Sequence, residues 1–139
     1  MSSYQIEPDV VGLWGDDMDF DANRDPQLVG PFHYAIDIWT GQDLVTTDPF
    51  LFVTRRLADA IQAAGLTGVE YAPVKVTPGE QGQLVDDNTP LPDLVQFVFT
   101  GNAADDLYLF EDVDLRVSAR AMALLRDFNL GCADVEQVD

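Results

Sequence analysis

Positive charge is what this sequence has least of. It carries seven Lys and Arg against 25 Asp and Glu, for a formal net charge of −18, and Lys75 is its one lysine. Nucleic-acid binding through phosphate neutralisation needs a basic patch, and so does attachment to an anionic membrane; so few cations among so many acids supply neither. Cys132 is the single cysteine, which excludes an internal disulfide and a multi-cysteine zinc site. No apolar run approaches the ~18–20 residues of a membrane span, and residues 1–7 have neither the basic nor the apolar region of a secretory signal. P-loops, glycine-rich dinucleotide turns and paired Cys/His spacings are all missing. These absences predict a soluble cytoplasmic protein without a bound metal or other cofactor, repelled by nucleic acid and membranes and attracted to basic surfaces.

What is present is an ordinary globular core. Apolar residues make up 47% of the 139, too many for an acidic disordered tail. That length predicts one domain over residues 1–139, able to bury about two-thirds of the surface its unfolded chain exposes. The acids are unevenly spread. Residues 1–50 hold ten acids and one base (Arg24), whereas residues 51–100 hold six and three, and residues 101–139 nine and three. The acidic amino-terminal segment, residues 1–49, centres on Asp16, Asp17, Asp19, Asp21 and Asp25, interleaved with Trp14 and Phe20.

Beyond this segment the chain nearly repeats itself, and the segments at about 50–75 and 113–138 align without gaps. Val53 falls on Val117, Thr54 on Ser118, Arg56 on Arg120, Ile61 on Leu125, Gly65 on Asn129 and Leu66 on Leu130. Each copy reads as strand, helix, strand. Thr54 and Ser118 are residues whose hydroxyls can cap a helix start. Leu57, Ala60, Ile61 and Ala64 recur on one helical face, as do Ala121, Leu124, Leu125 and Phe128. Gly65 and Asn129 are suited to the left-handed residue that ends a helix. An alternating, half-buried strand is predicted after each stop, at Val69 to Val74 and at Ala133 to Val138. Further strands are predicted over 32–39, 43–45, 94–99, 107–110 and 114–117, with long loops over 15–31 and 77–93. The fold class expected is α+β: a mostly antiparallel sheet with two principal helices, built partly from a duplicated strand-helix-strand unit.

The pattern Val117-Ser118-Ala119-Arg120, followed by Leu124-Leu125 and then Asn129-Leu130-Gly131-Cys132, resembles the closing unit of immunity proteins from bacterial polymorphic toxin systems. Gly65-Leu66-Thr67-Gly68 matches the ending of that unit in the first copy. The resemblance covers residues 50–75 and 107–138 and implies a small cytoplasmic protein that binds and neutralises a toxin. Its motifs are caps and core positions, so it carries over no catalytic or binding residue.

The side chains that could carry chemistry have simpler uses. Asp17, Asp19, Asp21, Asn23 and Asp25 alternate like a calcium loop, but the sixth and twelfth positions are Ala22 and Leu28 where an EF-hand needs Gly and Glu. His33 has no nucleophile or carboxylate within obvious reach and reads as an ordinary hydrogen-bonded residue. Cys132 follows a helix end, where nothing lowers a thiol pKa, and reads as a small buried apolar side chain. Arg55, Arg56 and Arg120 sit in first helical turns, where the dipole disfavours cations, and call for ion pairs with nearby acids such as Asp48, Asp59, Asp112 or Asp114. The function expected is a non-enzymatic acidic immunity-type protein that binds a cognate, basic toxin. Its partner-binding residues would be Trp14, Asp16, Asp17, Asp19, Phe20, Asp21 and Asp25. The competing readings are a nucleic-acid mimic that occupies a basic DNA-binding protein, a divalent-metal enzyme using the Asp16 to Asp21 cluster, and acidity as an adaptation to high salt.

Overall fold

The computed structural model describes residues 3–20, 23, 28–47, 50–79, 91–111 and 113–138. In chain order the strands are β1 (Ser3–Glu7), β2 (Asp9–Val10), β3 (Gly12–Trp14), β4 (Asp19–Phe20), β5 (Leu28–Val29), β6 (Phe32–Ile36), β7 (Leu44–Thr47) and β8 (Phe50–Thr54). Helix α1 (Arg55–Ala63) follows, then β9 (Val69–Pro78), β10 (Leu94–Phe99), β11 (Leu107–Phe110), β12 (Asp114–Ser118), helix α2 (Ala119–Leu125) and β13 (Asp134–Gln137).

The two similar segments have the same topology. Each begins with an antiparallel hairpin, β7-β8 or β11-β12, whose second strand runs into a helix and then into a third strand, β9 or β13. A fourth strand, antiparallel to both neighbours, separates the two strands that flank the helix: β10 between β8 and β9, β1 between β12 and β13. This is a split strand-helix-strand arrangement in both cases. The registers agree as well. Val53 and Pro73 flank Val95, while Val117 and Gln137 flank Tyr4. The step from Val53 to Val117 equals the step from Pro73 to Gln137, and it is the step that aligns the two segments in sequence. The units differ in where the inserted strand comes from. β10 follows β9 directly in the chain, whereas β1 arrives from the amino terminus, so the acidic amino-terminal segment supplies part of the second unit.

The architecture is α+β with two helices, as the periodicity predicts, but the larger sheet is mixed and not simply antiparallel. Its seven strands run β2-β7-β8-β10-β9-β6-β3, and the β2-β7 and β6-β9 pairs are parallel. The cause is the length of β9. Its first half pairs with β10, and its second half runs on from Val74 to pair with β6. Val11 alone separates the two edge strands β2 and β3, so the sheet curls until it is nearly a barrel.

Two cores result, on opposite faces of the shared central strands. Leu51, Val53, Val95 and Phe97 face the helices, where Leu57, Ile61, Met122 and Leu125 meet Leu115 and Val117 from the smaller sheet. Phe52 and Leu94 face the barrel interior with Phe32, Tyr34, Ile36 and Val45. That dual burial explains the unbroken apolar run of β8, because a strand covered on both faces has no wet side on which to alternate. Each fully buried large apolar side chain here is worth about 1.5–3 kcal/mol. In the barrel, Phe32 contacts the rings of Phe50 and Phe52 at 4.9 and 5.0 Å. The Tyr34 hydroxyl donates to the Thr46 carbonyl at 2.6 Å and accepts from the Val11 amide, and burial pushes its pKa up to about 12.

One polar atom is poorly placed. The Tyr71 hydroxyl on β9 is buried with no hydrogen-bond partner among the described residues, and burial together with the Asp59 charge pushes its pKa up to about 12. Tyr71→Phe keeps the ring contact with Phe97 and removes the orphaned hydroxyl. Urea unfolding is expected to show it neutral or more stable than the native chain by up to ~1 kcal/mol; a loss of stability would mean the hydroxyl has a partner.

Candidate functional site

The acidic loop leaves the barrel at β3 and is fastened there by His33. The Gly15 amide donates to the His33 carbonyl at 2.8 Å, and the Asp17 amide donates to Nδ1 at 3.0 Å. With Nδ1 accepting, Nε2 is left to donate to the Thr77 hydroxyl at 2.7 Å. Both ring nitrogens are thereby committed, which is the ordinary hydrogen-bonded role expected of this residue. Gly15 allows the close approach, since a Cβ there would stand 2.0 Å from Nδ1. The Asp17 carboxylate pairs with Lys75, which holds it below the usual carboxylate range through a hydrogen bond and charge. Asp16 and Asp19 are exposed at the surface. Trp14 is 44% exposed, yet its ring lies against Phe32 and Phe50 at 5.6 and 5.4 Å. The structure thus brings Trp14, Asp16, Asp17 and Asp19 together at one end of the barrel. Phe20 pairs through its backbone in the β4-β5 ladder; its side chain, Asp21 and Asp25 lie outside the described residues. No group of three or more His, Cys, Asp or Glu among the described residues could hold a metal ion.

The dominant electrostatic feature is a pair of aspartates that the sequence reading passed over. Asp43, almost wholly buried, accepts at Oδ1 from the Thr54 hydroxyl (2.6 Å) and Arg56 Nε (2.9 Å), and at Oδ2 from Arg56 (2.5 Å) and the Asn129 amide (2.9 Å). Asp106 does the same in the other unit. It accepts from the Ser118 hydroxyl (2.7 Å), from Arg120 (2.7 Å) and from the Thr67 amide (3.0 Å). The arrangement is crossed. Asp43 introduces the first unit and holds the turn after the helix of the second; Asp106 introduces the second and holds the turn after the helix of the first. Burial raises the Asp43 pKa, but the bonds from Arg56, Thr54 and Asn129 outweigh it and the net shift is downward. For Asp106 the Arg120 hydrogen bond leads, and the carboxyl falls well below its ordinary range.

These contacts correct several expectations. The arginines do form ion pairs, but with Asp93, Asp43 and Asp106, not with Asp59 or Asp114; Asp48 and Asp112 lie outside the described residues. Ser118 caps α2 by accepting from the Ala121 amide while it donates to Asp106, whereas the Thr54 hydroxyl donates to Asp43 and makes no cap bond. Gly65 takes the left-handed conformation at the end of α1, but after α2 Gly131 takes it in place of Asn129. Cys132 is exposed, because its amide is turned in toward the Asp9 carboxylate at 2.9 Å. β13 is exposed on both faces and not half-buried, since it is an edge strand. The missed aspartates had a sequence signal: an Asp-Leu step stands at nearly the same distance before Thr54 as before Ser118.

Every described cation is engaged inside the fold. Arg55, Arg56, Lys75 and Arg120 face carboxylates, while Arg116 and Arg126 lie over the rings of Phe110 and Tyr4 at 3.5 and 5.4 Å. No family model matches the chain, and it has no significant match among curated proteins or solved structures. No helix among the described residues is long and apolar enough to cross a membrane.

Because the Asp106 pKa is depressed on folding, its stabilisation is complete above the ordinary aspartate value of 3.8 and drains away as the pH falls below it. Asp106→Asn is therefore expected to cost roughly 2 kcal/mol at neutral pH. The gap from the native chain, followed by urea unfolding, should narrow steadily below that value; a pH-independent gap would contradict the assignment.

Proposed function

We propose that this protein is an acidic, non-enzymatic binding protein of the immunity type, which binds and neutralises a cognate basic toxin protein in the bacterial cytoplasm. The observation that carries this reading is the disposition of its cations. With each described cation paired with one of the chain's own carboxylates or laid on a ring, the remaining acids leave a large unpaired negative charge, which speeds encounter with a basic surface and repels nucleic acid. Three groups that could otherwise do acid–base or nucleophilic work have structural duties: His33 fastens the acidic loop, and the Thr54 and Ser118 hydroxyls serve the aspartate clasps. The scaffold is a duplicated strand-helix-strand unit, supported by the strand register that the two copies share. The resemblance of residues 50–75 and 107–138 to immunity proteins points the same way.

Co-expression with the product of the neighbouring gene is the direct test. The expected outcome is rescue of cells from that product and a stable complex that survives about 0.5 M salt, where attraction between exposed charges is largely screened. A complex that dissolves in such salt and forms equally with unrelated basic proteins would favour a nucleic-acid mimic. Absence of both rescue and binding would refute the immunity reading.

A further inference from the structure

We infer, whatever the acidic loop binds, that His33 is a pH-operated latch on it: a second ring proton frees the loop beyond Gly15 from the barrel. The loop runs from β3 to the β4-β5 ladder, whose two strands pair with each other and with neither larger sheet. Its backbone is tied to two parts of His33. The Gly15 amide donates to the main-chain carbonyl, which no change of ring protonation touches. The Asp17 amide donates to Nδ1. A backbone N–H can only donate, so Nδ1 must be bare and Nε2 must carry the ring's one hydrogen, which it gives to Thr77. The fastened loop therefore requires a neutral ring in a single tautomer.

Protonation puts a donor hydrogen on Nδ1, 3.0 Å from the Asp17 nitrogen, and turns that hydrogen bond into a contact between two donors. The ring has no room to swing aside. It is 9% exposed, Nε2 is held by Thr77 on β9, and a Cβ at Gly15 would stand 2.0 Å from Nδ1. Donors buried without an acceptor are avoided in folded proteins, so the more weakly held side, the loop, gives way. What else holds it here is the exposed Asp17–Lys75 pair, worth little at a solvated surface, and the half-buried Met18. Among the described residues two charged groups face the ring. Asp17 favours the imidazolium, and Lys75, the cross-strand neighbour on β9, opposes it. β3 and the start of the loop bring Gly15 against the ring, and on β6 and its extension the nearest charged residue is Asp37, two pleats along.

The test is nuclear magnetic resonance on the full ¹⁵N-labelled chain between about pH 8 and about pH 5, the interval in which histidine changes charge. At the upper end the ring should show the Nε2–H tautomer. As His33, the one histidine, titrates, the amide shifts of Asp16, Asp17 and Met18 should move with the same midpoint. Over that titration the hydrogen-exchange protection of the Asp17 amide, corrected for its intrinsic rate, should fall roughly tenfold or more while that of Gly15 holds. His33→Asn offers an amide oxygen near the place of Nδ1 and takes up no proton in this range, so the loop shifts should cease to follow pH. The titration of the native chain decides the matter even if that variant does not fold. Loop amides that ignore the His33 titration, joint loss of protection at Gly15 and Asp17, or a ring that stays neutral until the whole chain unfolds would each overturn the latch. So would loop shifts that titrate unchanged in His33→Asn.

Discussion

The fold depends on two carboxylates that each answer to the opposite half of the molecule. Asp43 and Asp106 stand at the start of the two hairpins, and each gathers a hydroxyl, a guanidinium and a backbone amide. The hydroxyl and guanidinium come from the start of the helix in the same unit; the amide comes from the turn that ends the helix in the other. A first helical turn is a poor place for Arg56 or Arg120 on dipole grounds alone. The aspartates reverse that penalty, and they place the two helix ends so that α1 and α2 pack over one shared core. Asp43 can be buried because its acceptor capacity is filled, which is the condition under which a buried charge is tolerated.

Around these clasps the chain divides its surface labour. The first unit is covered on its far face by the barrel, so β8 is apolar on both sides, and its β10 partner sends Leu94 into the barrel and Phe97 toward the helices. The second unit has a helix-covered inner face and an outer face of Gln5, Glu7, Asp114, Arg116, Asp134 and Glu136, read off the pairing of β12, β1 and β13. The same topology is therefore largely enclosed in one unit and displays a polar outer face in the other.

Much of this was legible in the residues. The helices, their Thr54 and Ser118 starts, the strand β10 and the β11-β12 hairpin follow from periodicity and cap chemistry, because those signals are local. The gapless alignment of the two segments anticipated their common strand-helix-strand order, though not the register that their strands share. What escaped was long-range. β1 and β3 are short strands without a strong alternation, and their partners lie far along the chain. The parallel β6-β9 pairing depends on how far β9 runs past β10. Asp43 and Asp106 went unremarked because an aspartate before a strand looks like any turn residue until distant partners, such as the Asn129 amide at Asp43, arrive beside it. The acidic loop was found by composition, and the pinning of it by Gly15 and His33 was not.

The crossed clasp is tested most directly by hydrogen–deuterium exchange on the single variants Asp43→Asn and Asp106→Asn. Asp43→Asn should speed exchange in the turn after α2, at Asn129 and its neighbours, more than in the turn after α1. Asp106→Asn should do the reverse, at Thr67 and Leu66. A pattern in which each substitution loosens only the turn of its own unit, or both turns equally, would contradict the reciprocal arrangement on which this account rests.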